Sequence, residues 1–574
     1  MCGRVCRFGK SSLLLPAGRL NRASPPAMIL PSAAATPAAA RAGKGSPDVL
    51  RHATTQRRPR STASCDALTV DRLPSPVFTR TLNPHGGPRS RAAPIGSAVM
   101  SELTLEPAAP GATAAKRRRE LRDVVALSIP IVLTTSSRMV MDVTDYVLIT
   151  WLDDPAAQAA ILPAQMIMWC YIVLGMGTLT ITNTFASQNL GRERFAECSA
   201  YGWQSLYLAL GFGAVGLALT PLLDDLIGWI GHEPQVQRQE LLYARIGLLT
   251  VAPTIAAKGL DGTFTGIHRP WVATWSMVEA NVVNAIVSYA LIFGAGGLPA
   301  LGIAGAAWGT LAGVCYRTLR LALTMLTPRM HAQFRSRSTW RPSPRRMLDI
   351  LRVGGPAGVQ WLSDVLVWTL FVTVLIGRTF GTVHQIATNT VWQYLRVSFV
   401  PAMGIGFALT ALVGKSVGRR DLELARRQAG TVARLTFAYM AALSVAYWFW
   451  GGELVRILTA DGAEQDEVVR IGAPIMICAA VFQLFDALGM AYNAALRGAG
   501  DTFWPSTMSI VGHWLLVIGG GWLAGRLFPS AGSLGPWIAA SALIVLYGLY
   551  LWRRWAGGAW QRINIFGERP CRPD

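Results

Sequence analysis

The sequence predicts an all-α polytopic membrane protein with twelve transmembrane helices in two pseudo-symmetric six-helix lobes. Three observations carry that expectation. Of 574 residues, 52% are apolar and only 15% charged, where a soluble domain carries roughly 25% charged residues; mean hydropathy is +0.35. Apolar stretches long enough to cross a hydrocarbon layer of ~30 Å alternate with short polar connections. The motifs that close the early stretches return, in order, in the later ones.

Residues 1–100 stand apart. They hold 15 Lys and Arg, 3 Asp and 12 of the 33 Pro, with clusters such as Arg57-Arg58-Pro59-Arg60 and no sustained helical or strand period. Such a segment buries too little apolar surface to offset its ordering entropy, and we expect 1–120 to be a disordered basic N-terminal extension. An Arg-rich, acid-poor composition also fits an organelle transit peptide. The rival reading is an upstream leader, with Met100 and its acidic SELTLEP as a natural start. The Arg bias favours the second, since only 5 of 53 basic residues are Lys across tail and body alike.

The spans are expected at 123–150, 160–187, 201–222, 239–260, 271–294 and 302–326, forming an N-lobe over 121–328. A basic cytoplasmic loop, 329–348, leads to a C-lobe over 349–555, with spans at 349–376, 386–413, 430–452, 470–495, 504–526 and 533–552. A tail follows at 556–574.

Orientation comes from Lys and Arg, which stay cytoplasmic in short loops. Lys116, Arg117, Arg118 and Arg119 precede the first span, Arg192 and Arg194 follow the second, and His268 and Arg269 follow the fourth. The central connection carries Arg329, Arg335, Arg337, Arg341, Arg345 and Arg346, and Arg419, Arg420, Arg426 and Arg427 follow the eighth. Opposite loops are acidic: Asp153-Asp154, Asp224-Asp225 with Glu233, and Asp461, Glu464, Asp466 and Glu467. Both termini are therefore expected in the cytoplasm, with the chain multi-pass in the plasma (inner) membrane, or in an organelle membrane if the extension is a transit peptide.

The net charge of +21 is thus topology, since a nucleic-acid site would gather cations with aromatics on one surface. No nucleic-acid partner is expected. The 8 Cys (2, 6, 65, 170, 198, 315, 478 and 571) show neither CxxC pairs nor Cys/His ligand spacing; those in apolar segments read as small core residues.

The duplication is visible in the residues. GMGTLTITNTFASQNLGRERFAE from Gly175 corresponds to GIGFALTALVGKSVGRRDLELAR from Gly404, and GIHRP at 266–270 to GAGDTFWP at 498–505. Halves with the same in-out orientation, related by an axis along the membrane normal, can rock about a central cavity. The GxG pairs let backbones approach closely, and Gly-Asp-Thr at 500–502 reads as a turn before a helix. GKSVG at 414–418 fits the nucleophile-elbow pattern literally, but that chemistry needs a strand-turn-helix above a sheet. HExxH-type motifs are absent, and His513 is the only His deep in a span. No enzyme is expected.

Acids inside apolar helices are the informative residues, because a charge at mid-bilayer must neutralise, pair or bind an ion. Asp142 and Asp145 lie in the first span, Asp364 in the seventh and Asp486 in the tenth. A carboxylate stripped of water favours its neutral form, so a lone buried Asp can load a proton on one side and release it on the other. The competing explanation for each is a satisfied packing residue. Arg138, Asp142 and Asp145 fall at i, i+4 and i+7 and are read as sharing one face; Asp142 partners Arg138, leaving Asp145 to titrate. Asn284, Ser288 and Thr310 supply oxygens suited to a hard cation, although hydroxyls also bond their own helix. Glu279 sits near a helix end and reads as snorkelling.

These residues resemble the multidrug and toxic compound extrusion (MATE) family, of the NorM type, over 120–555. The resemblance rests on SIPIVLTTSSRMVMDVTDYVL at 128–148, the paired GxG loops, NAIVSYALIFG at 284–294, GIAGAAWGT at 302–310, VGGPAGVQWLSD at 353–364 and FQLFDALGMAYNAALRGAGDTFWP at 482–505. It implies twelve helices in two lobes and export of organic cations or other amphipaths against Na⁺ or H⁺, with no other cofactor. It places the family's first-lobe acid on Asp145, with Asn284, Ser288 and Thr310 around it. It places the second-lobe acids on Asp364, usually Glu, and Asp486. Arg138, Ser288 and Lys415 depart from the family pattern, the first two at the first-lobe proton site. The expected partners are the lipid bilayer and a small amphipathic substrate, with the chain acting as a monomer. A lipid-linked precursor flippase of the same superfamily is the alternative; it should line its cavity with Arg, and within the spans basic residues read as few, Arg138 chief among them.

Overall fold

The computed structural model describes residues 110–567 except 153, 460, 461 and 463. The expectations for 1–109, Asp153, Asp461 and Cys571 lie outside the described residues, as do the side chains of Lys116, Arg117 and Arg119. The described residues contain helices and no strand.

In chain order the helices are α1 (Pro110–Thr150), α2 (Pro155–Leu179), α3 (Thr182–Gly191), α4 (Phe195–Ala218), α5 (Leu222–Ile230), α6 (Pro234–Leu248), α7 (Val251–Gly266), α8 (Trp271–Phe293) and α9 (Ile303–Met325). After α10 (Pro328–Phe334) come α11 (Pro344–Leu370), α12 (Thr382–Gly418), α13 (Leu422–Leu458), α14 (Gln465–Ala499), α15 (Phe503–Gly512), α16 (Gly521–Leu527) and α17 (Leu534–Ala556). Wider π turns at Phe371–Arg378 and His513–Gly520 extend α11 and join α15 to α16. Nine described helices are long and apolar enough to cross a bilayer, and two pairs bent by 63° and 46° raise this to eleven. The remaining expected span falls on α9, 23 residues that include Arg317 and Arg320.

Local chemistry sets the boundaries. Asp154 caps α2 by accepting from the Ala156 and Ala157 amides at 3.0 and 3.2 Å, with Pro155 at the first helical position. Asp421 caps α13 through the Leu424 amide at 2.9 Å. Gly500, at φ 92°, ends α14 in a left-handed turn that a side chain would strain. The first helix starts at Pro110, so residues 110–120 belong to it rather than to the extension; Glu120 in this turn lies 3.3 Å from Arg427 of α13.

The lobes meet through small residues. A Cβ at Gly177 of α2 would strike Gly358 and Ala357 of α11, and one at Gly191 of α3 would strike the Lys415 carbonyl of α12. Beside these approaches, Asn183 Nδ2 donates to the Phe407 carbonyl at 3.0 Å, Thr184 Oγ1 to Arg497 O at 2.8 Å and Gln188 Nε2 to Gly498 O at 3.0 Å. Arg346 of α11 holds Glu197 of α4 through two bonds of 2.9 and 2.8 Å. The interlobe hydrogen bonds and ion pairs just named lie toward the end where the basic loops gather.

Two connecting pieces are more ordered than the sequence suggests. The 329–348 loop contains α10 and is tied to α4, with Ser199 Oγ donating to Phe334 O at 2.8 Å and Trp203 Nε1 to Ser336 O at 2.9 Å. In the tail, Trp560 is fully buried and stacks on Trp555 at 4.1 Å. Phe566 then crosses onto the N-lobe, 5.7 Å from Phe185, beneath the Arg192 guanidinium at 4.1 Å.

Candidate functional site

Asp145 lies in the interior of the N-lobe, 2% exposed. Thr310 Oγ1 of α9 donates to its Oδ2 at 2.6 Å, while Asn284 Nδ2 and Ser288 Oγ of α8 donate to its Oδ1 at 2.9 and 3.3 Å. Three helices thus converge on one carboxylate, as the resemblance implied. Close approach makes this possible, since a Cβ at Gly309 would collide with Ser288 and one at Gly313 with Asn284. Asn284 keeps a buried Oδ1 with no donor. Each acceptor oxygen here is one that a hard cation could also use.

Arg138 and Asp142 do pair, at 3.1 Å. The i, i+4, i+7 spacing keeps all three on one side of α1, but Arg138 and Asp142 line a cavity between the lobes, whereas Asp145, further along the helix, is enclosed by α8 and α9.

Two adjoining chambers lie between the lobes. The larger, about 440 Å³, is a C-lobe chamber whose wall includes Asp364 and Asp486 with Trp368, Trp392, Phe482 and Trp537. Asp364 on α11 is loosely held: Gln360 Nε2 and Ser509 Oγ each donate at 3.4 Å, and His513 Nδ1 is 3.5 Å away. That nitrogen donates instead to the Ser509 carbonyl at 2.7 Å. Asp486 on α14 faces the same chamber with no hydrogen-bond or ion-pair partner among the described residues. One π turn begins at His513, which lies beside Asp364, and the other begins at Phe371, seven residues or about 10 Å further along α11.

The smaller chamber, about 280 Å³, is walled mostly by the N-lobe and holds the residues sequence reasoning missed. Besides Arg138, it is faced by Lys258 of α7, Arg317 of α9 and Arg396 of α12, against Asp142 and Asp261. Basic residues in the spans are therefore not few where it matters. The rule used for intramembrane acids, applied to cations, would have found them. Trp169, Trp361, Met403 and Phe407 line both chambers.

Other motifs resolve as structure. Asp501 of the GAGDT turn, 3% exposed, is gripped by Arg554 at 2.7 and 3.0 Å. GKSVG closes α12 against α3, where a Cβ at Gly414 would strike Ser187. Glu279 bonds Tyr316 and Arg320 on α9 at 3.0 and 3.2 Å. Among the described residues, no three His, Cys, Asp or Glu side chains converge as a metal-binding group.

The MatE family profile matches residues 130–290 and again 362–523, once in each lobe. The chain belongs to the MatE family. Among curated relatives, the probable multidrug resistance protein NorM of Rhodopseudomonas palustris is 28% identical over 446 residues, 76% of this chain and 92% of the relative. The multidrug resistance protein NorM of Burkholderia vietnamiensis is 28% identical over 464 residues, 79% and 96% respectively. The fold is shared with a MOP superfamily transporter from Pyrococcus furiosus, with a TM-score of 0.68 and 21% identity over 77% of this chain and 97% of that one. A MATE structure in the bent conformation gives 0.69 at 20% identity, over 78% and 98%. MatE-family membership makes this chain a transporter embedded in lipid, not an enzyme.

Proposed function

We propose that this MatE-family chain is a multidrug antiporter, exporting amphipathic compounds, organic cations among them, in exchange for Na⁺ or H⁺ by rocking of its two lobes. The observation that carries this reading is the pairing of an aromatic interlobe cavity with separated acids inside the helices, buried Asp145 in one lobe and the half-buried, cavity-lining Asp364 and Asp486 in the other. The relatives' description as multidrug resistance proteins supports the substrate class. Aromatic walls accept varied apolar bodies with little demand on shape, and a cavity-lining carboxylate without a protein partner among the described residues, such as Asp486, is suited to accept an entering ion. Interlobe bonds such as Asn183 to Phe407 O and Gln188 to Gly498 O hold the lobes together toward the basic end; with that end cytoplasmic, this supports reading the arrangement as an outward-facing state of a plasma-membrane protein working as a monomer.

The alternative of a lipid-linked precursor flippase has one observation in its favour, the four cations around the smaller chamber. Proteoliposome transport separates the two. Asp364→Asn or Asp486→Asn should abolish ion-driven efflux of a fluorescent cation with protein still in the membrane, and imposing a Na⁺ gradient alone, then a pH gradient alone, identifies the coupling ion. Full transport by the double variant would refute the assignment.

A further inference from the structure

The larger chamber sets Asp364 and Asp486 against Arg497 among aromatic walls, whereas in the smaller one cations are in excess. Four cations face it against two carboxylates, and both carboxylates are already engaged: Asp142 by Arg138 at 3.1 Å and Asp261 by Arg317 at 2.6 Å. Lys258 and Arg396 are left over. Among the described residues neither has a carboxylate within ion-pair distance. The Lys258 ammonium lies 3.9 Å from the Phe407 ring centroid and 6.0 Å from that of Trp361, at the seam where the chambers join. A ring face attracts a cation but brings no countercharge. Arg138 Nε and Arg317 Nε are buried donors with no acceptor. Lys258 is half-buried and Arg396 exposed, so the chamber carries two more cations than carboxylates, and an anion entering it supplies the missing countercharge.

We propose that the smaller chamber is an anion-binding subsite, in which Lys258 and Arg396 hold the carboxylate or phosphate of an amphipathic molecule whose aromatic or cationic body lies in the C-lobe chamber. Lys258 comes from the N-lobe and Arg396 from the C-lobe, so the anion would bridge both lobes. This rests on the export reading above and deepens it, by naming the residues that would hold the anionic end of an acidic or zwitterionic amphipath.

The test is equilibrium binding of two dyes to the purified full chain, read by fluorescence polarisation with no ion gradient. Rhodamine 110 carries a free carboxylate on a cationic ring system, and rhodamine 123 is its methyl ester. The subsite requires that the chain bind rhodamine 110 at least tenfold more tightly. Lys258→Gln and Arg396→Gln should each lower that preference at least fivefold, and Lys258→Arg should retain it. Equal dissociation constants for the two dyes, or a preference unchanged by both Gln variants, would overturn the proposal. A lipid source for the anion is distinguished in nanodiscs: loss of rhodamine 110 binding in phosphatidylglycerol relative to phosphatidylcholine assigns the subsite to a lipid headgroup, and retention assigns it to a free amphipath. Because binding needs no gradient, failure of ion coupling in Asp364→Asn leaves this measurement readable.

Discussion

Thr310 Oγ1 donates to Asp145 Oδ2 at 2.6 Å, joining α9 to α1 inside a bundle where the carboxylate is 2% exposed. When Asp145 is ionised the bond is charge-assisted and stronger than one between neutral groups, and removing the donor leaves a buried acceptor oxygen without it. We expect Thr310→Val, which keeps the shape and removes the donor, to lower stability by about 2 kcal/mol and to weaken ion-coupled efflux. Thermal unfolding in detergent, run beside the transport assay, checks both; an unchanged unfolding temperature would show the bond to be dispensable.

His268, in the loop between α7 and α8, is pushed down to about 3, first by burial and then by the nearby positive charges of Lys415 and Arg419. The folded protein therefore holds it neutral at pH values where the unfolded chain, near 6.5, takes up a proton. Between those values the unfolded state binds more protons, and stability falls as pH drops. His268 also adopts φ 59°, a conformation Asn tolerates well. In His268→Asn the loss of thermal stability from pH 6.5 to 4 should be smaller than in the parent; parallel curves would contradict the assignment.

Phe566 clips the tail to the N-lobe across the closed basic end, against Phe185 and Tyr201 and under Arg192. Opening that end must break these contacts. Phe566→Ala is expected to enrich the state in which the basic end is open by roughly fivefold, the equivalent of ~1 kcal/mol, typical of one aromatic contact. Spin labels at Phe195 on α4 and Glu423 on α13 would report it as growth of a longer distance population. An unaltered distribution would mean the strap bears no load on the seam.

Much of this was legible in the residues alone. Apolar run length marks a membrane crossing almost independently of tertiary context, which is why each expected span coincides with a helix or a bent pair. The residues alone marked Asn284, Ser288 and Thr310 as oxygen-bearing positions in otherwise apolar runs, while their grouping around Asp145 came only from the family resemblance. What escaped depends on the rotation and bending of whole helices. Whether Lys258, Arg317 and Arg396 point into a cavity or snorkel to an interface is set by angles that composition does not encode. The same holds for Asp142 and Asp145, three residues apart yet one on the cavity wall and one inside the bundle. The order in 329–348 and in the tail comes from a few long-range bonds, such as Trp203 to Ser336, with no periodic signal.

Trp169, Trp361, Met403 and Phe407 are common property of the two chambers. A guest that shifts any of these side chains to make room for itself reshapes the neighbouring space at once. Chemically unrelated cargoes therefore compete for one tenancy, and each should inhibit the other's passage even where their charged ends dock on different lobes.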